Sequence, residues 1–242
     1  MELGNADRLL RLWTEARDVD PMERPAALLA VLTDGGGLSS LAHLPLGERD
    51  RRLLSMYQAM FGPRLDAVTP CHSCGELVEV TVDVSEILAQ EPGSSDLMKV
   101  HHLELGEVAV DVRLPSTADL VAATAASTVE AAREALIGRC VSDVVRDGGC
   151  ARRLDDTEID ALAAELERLD PLLDLELSLT CPACGAGNEV PLDVGAFVWA
   201  EVAVRARRLL LEVDALARRY GWSEGEIIAL KPARRAVYLE LG

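Results

Sequence analysis

Two short cysteine motifs of the same construction constrain this chain more than any other feature. Cys71-His72-Ser73-Cys74-Gly75 and Cys181-Pro182-Ala183-Cys184-Gly185 each set two thiols three positions apart, with glycine directly after the second. That spacing lets both sulfurs of a tight turn aim at one tetrahedral ion, and the glycine permits the positive φ with which the chain reverses. Strand-like sequence flanks both pairs, as in a zinc ribbon. One knuckle says little, but two of matching design point to a single structural Zn2+ held by Cys71, Cys74, Cys181 and Cys184. A closed shell of four thiolates leaves no position for substrate, so the reading is structural, not catalytic. His72 lies between ligands and is expected to point outward.

The stretch 75–180 between the pairs is much longer than the roughly 15–20 residues of an ordinary ribbon. Closure entropy grows only with the logarithm of loop length, so the stretch reads as an insertion that leaves the site possible. Two other readings stand beside zinc. One is a knuckle without metal. The other is a redox dithiol, although that motif normally occurs once, at a helix start beside a βαβ pattern. The remaining cysteines, Cys140 and Cys150, read as buried or incidental thiols.

Periodicity divides the chain into five regions: 1–69, helical; 70–90, first knuckle and strand; 91–172, hairpin and helices; 173–195, strand and second knuckle; 196–242, helical. Helical spacing predicts helices over 6–16 (Leu9, Leu10, Leu12, Trp13), 25–32 and 47–61, with a stop at 34–37. After Pro70 the pattern alternates over 77–84, a strand. A loop rich in Pro, Gly and Ser at 92–95 precedes two more strands, 100–105 and 108–114, joined at Gly106-Glu107. Helix is expected over 119–145, with a start at Ser127, and over 157–169. Strand is expected again over 172–179 and 189–194. The C-terminal region reads as a long helix over 197–220 ending at Gly221, a short one over 224–230 opened by Ser223 and Glu226, and a last one from Pro232. The fold class is therefore α+β: mainly helical, with a split zinc-ribbon-like β core carrying a long hairpin-plus-helices insertion.

Charge narrows the function classes. The net charge of −17 in 242 residues argues against sequence-independent phosphate binding, so nucleic acid is an unlikely partner for the whole chain. Residues 205–235 carry eight bases against four acids, which keeps a zinc-ribbon nucleic-acid-binding regulator as the alternative. No apolar run is long enough to span a membrane, and 1–20 lacks the apolar centre of a secretion signal, so a cytoplasmic protein is expected. His101 and His102, adjacent on a strand, face opposite ways and cannot share an ion. No phosphate loop, nucleophile elbow or H-E-x-x-H pattern is present, so no enzyme is expected.

Further residues carry a family likeness. A helix ending in Met60-Phe61-Gly62 runs into the first knuckle. After the second come Phe197-Val198-Trp199-Ala200-Glu201, then Leu216-Ala217-Arg218-Arg219-Tyr220-Gly221-Trp222-Ser223-Glu224, Glu226 to Leu230, Arg234-Arg235 and Tyr238-Leu239. These stretches resemble the T-even-type phage baseplate hub and hub assembly chaperone family of contractile tails and tail-like injection systems. The resemblance implies a non-enzymatic assembly factor or minor structural component of a baseplate or hub, whose partners are other baseplate or hub proteins. It also implies no small-molecule substrate. Tyr220, Trp222, Arg234 and Arg235 are the candidate partner-binding residues. Tyr220 and Trp222 could anchor an interface, or simply pack the Gly221 turn against the long helix.

Overall fold

The computed structural model describes residues 3–33, 37–90, 96–146, 149–150 and 153–241. Four helices begin the chain: α1 (Leu3–Ala16), α2 (Arg24–Ala30), α3 (Leu38–Ala42) and α4 (Leu46–Phe61). Helix α1 buries Ala6, Leu9, Leu12 and Ala16, three or four residues apart and hence on one face. Pro25 sits in the first turn of α2, where a missing N–H costs nothing. Helix α4 buries Leu53, Leu54, Tyr57 and Met60 and ends at Gly62, whose φ of 97° belongs to the region that favours glycine.

Next comes an antiparallel hairpin, β1 (Arg64–Pro70) with β2 (Leu77–Asp83), and the short α5 (Val84–Leu88). The middle of the chain holds β3 (Val100–Leu105), β4 (Val108–Arg113), α6 (Thr117–Ala123), α7 (Val129–Cys140), β5 (Val141–Arg146), β6 (Gly149–Cys150) and α8 (Asp156–Leu169). A second hairpin, β7 (Glu176–Thr180) with β8 (Gly187–Pro191), leads into α9 (Val194–Tyr220), α10 (Glu224–Ala229) and α11 (Pro232–Glu240). Helix and strand mix along the chain in the α+β manner expected from its periodicity.

Two expectations fail locally. Residues 64–70 form strand β1, not the end of a helical region, because Gly62 and Pro63 break α4 and the segment then pairs along the whole of β2. The helix expected over 119–145 is broken twice. It pauses between α6 and α7, restarting at Thr128, whose hydroxyl accepts the Ala131 amide at 3.2 Å. It then ends at Cys140, where the β-branched Val141, Val144 and Val145 enter the sheet beside β4. Residues 34–36 of the stop expected at 34–37 and the loop at 92–95 lie outside the described residues, as does the side chain of Cys150.

Buried side chains gather in separate clusters. The largest is built from α1, α2, α4, α5 and the first half of α9, through Val194, Val198, Val202, Ala206 and Leu209. A second lies on the sheet β3-β4-β5-β6, where Leu103, Leu105, Val108, Val110 and Val112 meet Leu162 and Leu169 of α8. The start of α4 joins the two. Leu46 donates its amide to the Pro115 carbonyl at 2.9 Å, Arg49 reaches the Thr117 hydroxyl at 3.1 Å, and the buried Asp170 carboxylate packs closely against Gly47. The inserted segment thus supplies a partner for one open N–H group at the start of a core helix.

Candidate metal centre

Both cysteine motifs form the turns of their hairpins, and the two turns are built alike. In the first, the Cys71 amide donates to the Glu76 carbonyl at 2.8 Å and the Gly75 amide to the Cys71 carbonyl at 2.8 Å. In the second, Cys181 donates to Ala186 and Gly185 to Cys181, each at 2.9 Å. Gly75 and Gly185 have φ of 76° and 74°, which a side chain would resist. The hairpins belong to separate two-stranded sheets, so no ladder of backbone hydrogen bonds joins them. Asn188 bridges the gap. Its side-chain oxygen accepts the His72 amide of the first turn at 3.0 Å, and its nitrogen donates to the Ala186 carbonyl of the second at 3.0 Å. Sequence reasoning missed Asn188. A polar residue three positions after the second knuckle, at a site where β2 carries the apolar Val78, was the available signal.

The four sulfurs of Cys71, Cys74, Cys181 and Cys184 lie within 4.8 Å of one another. Across the hairpins, Cys71 Sγ is 3.8 Å from Cys184 Sγ and Cys74 Sγ is 3.7 Å from Cys181 Sγ. A tetrahedral ion bonded to sulfur at about 2.3 Å requires sulfurs about 3.8 Å apart, so the donor set fits a four-thiolate zinc site in both composition and size. Cys71 and Cys181 are buried beside Val78, while Cys74 and Cys184 face solvent. The exposed His72 side chain is outside this quartet.

Four thiols this close cannot all ionise without an ion to balance them. The Cys74 and Ser73 amides, with help from the neighbouring thiols, pull Cys71 down to about 6. Cys74 goes the other way. The Glu76 amide favours its thiolate, yet the Cys184 thiol and burial push it up to about 12. Negative charge is thus concentrated on one sulfur at the expense of another, as close contact between like acids requires.

The likeness of the hairpins runs past the turns. A single constant shift along the chain relates Leu65 to Leu175, Cys71 to Cys181, Cys74 to Cys184, Glu79 to Glu189, Val80 to Val190, Asp83 to Asp193 and Val84 to Val194. Asp83 caps α5 through the Ser85 amide at 2.8 Å, and Asp193 caps α9 through the Ala196 amide at 2.9 Å. The reciprocal pairing of Cys71 with Cys184 and of Cys74 with Cys181 is that of two like halves related by a local pseudo-two-fold.

The other residues singled out from sequence stand elsewhere. Tyr220, Trp222 and Tyr238 form a ring cluster, with Tyr220 stacked on Trp222 at 4.7 Å and Tyr238 edge-on to Trp222 at 4.9 Å. These half-buried rings pack the Gly221 turn over Leu216 and Ile227. Arg234 is exposed, its guanidinium 5.8 Å from the Tyr238 ring. Arg235 turns inward instead: 2% exposed, it bonds Glu212 at 3.0 Å and the Leu230 carbonyl at 2.9 Å, so its guanidinium is spent on holding α11 to α9. Cys140 is buried, and burial together with the Asp119 charge raises its thiol to about 11. His102 pairs with Asp111 at 2.7 Å on one sheet face, while His101 Nε2 is buried on the other without a partner among the described residues.

No curated protein and no solved structure matches the chain. A family model described as T4 bacteriophage base plate protein matches residues 7–197. That span takes in both hairpins and the middle segment between them, and it stops just inside α9, short of the Tyr220 to Leu230 block. The chain belongs to the T4 bacteriophage base plate protein family.

Proposed function

We propose that this protein is a non-enzymatic assembly factor, or a minor structural component, of the baseplate or hub of a contractile phage tail or tail-like injection system. Its partners are other baseplate or hub proteins, it acts on no small-molecule substrate, and it is made in the cytoplasm before entering a particle. Among the described residues no helix is long and apolar enough to cross a membrane.

The observation that carries this reading is the cysteine quartet within a baseplate-family chain. Cys71, Cys74, Cys181 and Cys184 would hold one Zn2+ as a split zinc-ribbon-like core. Such an ion would supply the attraction between hairpins that their separate sheets do not. Bound there, the ion would have four thiolate ligands and no open position for a reacting group. Around them, the Asn188 bridge fixes one turn against the other, and the ends of the long middle segment are held together. A fixed frame of this kind suits a scaffold that presents surfaces to several partners. Tyr220, Trp222 and Arg234, at the far end of α9, are the surface proposed to meet one of them.

Deletion of the gene is expected to reduce the number of complete baseplates and sheathed particles seen by electron microscopy. Particles normal in number and shape would refute the assembly role. Cys71→Ser is expected to release the metal and lower the melting temperature, and unchanged melting with metal retained would refute the zinc site.

A further inference from the structure

The two like hairpins act as controls for each other. At positions related by the constant shift, the outer face of β1–β2 carries Val68, Pro70 and Leu77 where β7–β8 carries Ser178, Thr180 and Gly187. The register sets Val68 opposite Glu79 and Pro70 opposite Leu77, so these side chains share one face. Val68 is 59% exposed and Leu77 64%, and the exposed carboxylates of Asp66, Glu76 and Glu79 border them. Fold and thiol placement make the same demands on both hairpins. The apolar strip found on one alone therefore answers a different demand.

Helix α9 carries a strip of the same kind with opposite charge. Val204 and Leu211, 64% and 70% exposed, are seven residues apart and so nearly in line along the helix. The exposed Arg207 and Arg208 lie between them. Arg208 reaches Glu212 only at 3.7 Å, and Arg207 makes no ion pair among the described residues. In a chain of net charge −17, residues 198–242 hold eight basic against six acidic side chains. The basic strip therefore stands out against an acidic molecule, and a strip of like polarity and opposite charge lies on the same chain.

We infer that a second copy of this chain covers the strip: the outer face of β1–β2 in one copy docks on α9 of the other. Val68 and Leu77 meet Val204 and Leu211, while Glu76 and Glu79 face Arg207 and Arg208. The inference does not depend on which ion the thiols hold. A contact between two short strips falls at the weak end of specific interfaces, so it forms at high local concentration.

Charge reversal with cross-rescue is the test, read by sedimentation velocity of the purified, metal-loaded full chain at near-physiological salt, in a series reaching roughly 0.5 mM. The unaltered protein is expected to shift from monomer to larger species along the series. R207E/R208E alone and E76R/E79R alone are each expected to remain monomeric with unchanged circular dichroism. An equimolar mixture of the two is expected to associate again, because the unaltered acidic hairpin of one variant meets the unaltered basic helix of the other, and the acidic helix of the first meets the basic hairpin of the second. Three results would each overturn the inference: a monomer throughout the unaltered series, association that neither reversal moves, or a mixture that stays monomeric. The first is also what is expected if a different baseplate protein covers the hairpin face.

Discussion

Replacing Asp119 by Asn removes one negative charge from the interior of the middle segment, and the structure sets the size of the effect. Asp119 is fully buried and accepts hydrogen bonds from Arg113 at 2.6 and 2.8 Å, from Arg139 at 2.8 Å, and from the Ser116 hydroxyl and amide at 2.7 and 3.0 Å. One carboxylate thereby ties β4, the start of α6 and the end of α7 together. Truncating one member of a buried charge cluster costs about 3–5 kcal/mol, because the remaining charges are left unbalanced. Here both arginines keep about two-fifths of their surface in water, which places the expected loss near the lower end, about 3 kcal/mol. For a chain of this size each kcal/mol moves the midpoint by roughly 2–4 °C, so a drop of roughly 6–12 °C is expected. Urea unfolding gives the total, and hydrogen exchange locates it: amides of β4, α6 and α7 should lose protection while those of α1 and α4 keep theirs. A loss below about 1 kcal/mol would refute the reasoning, since it would mean the arginines need no counter-charge. The pH dependence has a definite sign. Burial works to raise the Asp119 carboxyl, but Arg113, Ser116 and Arg139 overcome it and hold the group well below the usual carboxylate range. Its contribution is therefore complete above the ordinary carboxylate pKa and is lost as the pH falls below it, and the Asn variant should lack that acid-side loss.

Four further outcomes are expected. Gly47→Ala places a methyl group against both oxygens of the buried Asp170, so a loss of about 2–3 kcal/mol in chemical denaturation is expected, and an unchanged midpoint would contradict the packing. Asp170→Asn, by contrast, should leave stability at neutral pH unchanged or higher. Burial raises the Asp170 carboxyl, so ionising it costs stability as the pH rises through that raised value, and the Asn variant should show a flatter profile from about pH 4 upward. Cys140 should stay unmodified by iodoacetamide in the native protein and react only on unfolding, as mass spectrometry can show; fast native labelling would contradict its burial and raised pKa. Arg235→Ala should loosen α11 from α9, seen as increased exchange of α11 amides, whereas protection equal to the parent would contradict its bonds to Glu212 and Leu230.

What was legible in the sequence followed from local pattern. The alternation of Leu77, Val78, Val80 and Val82 marked β2, and Ser223 with Glu226 marked the start of α10, where the hydroxyl accepts the Glu226 amide at 3.4 Å. The motif pairs showed which four sulfurs to bring together, and the structure brings them together. What escaped depended on partners far along the chain. Strand β1 alternates weakly, with Leu65, Ala67 and Thr69 as its inner positions, and only pairing with β2 holds it extended. Strand β5 follows α7 directly, the helix running through Gly138 to Cys140, and the neighbouring β4 decides where strand begins. Asn188 bridging the turns, Asp119 gathering two arginines and Arg235 turning inward to Glu212 each rest on contacts no periodicity encodes. Arg235 illustrates the point: its neighbour Arg234 is exposed, and nothing local separates the two.

Zinc K-edge X-ray absorption on the purified full chain, paired with its metal content by mass spectrometry, tests the shared metal site most directly. The expected result is one zinc per chain with four sulfur neighbours at about 2.3 Å, lost when a cysteine of either hairpin is replaced. A shell containing nitrogen or oxygen donors, or a full complement of zinc retained by Cys181→Ser, would contradict it.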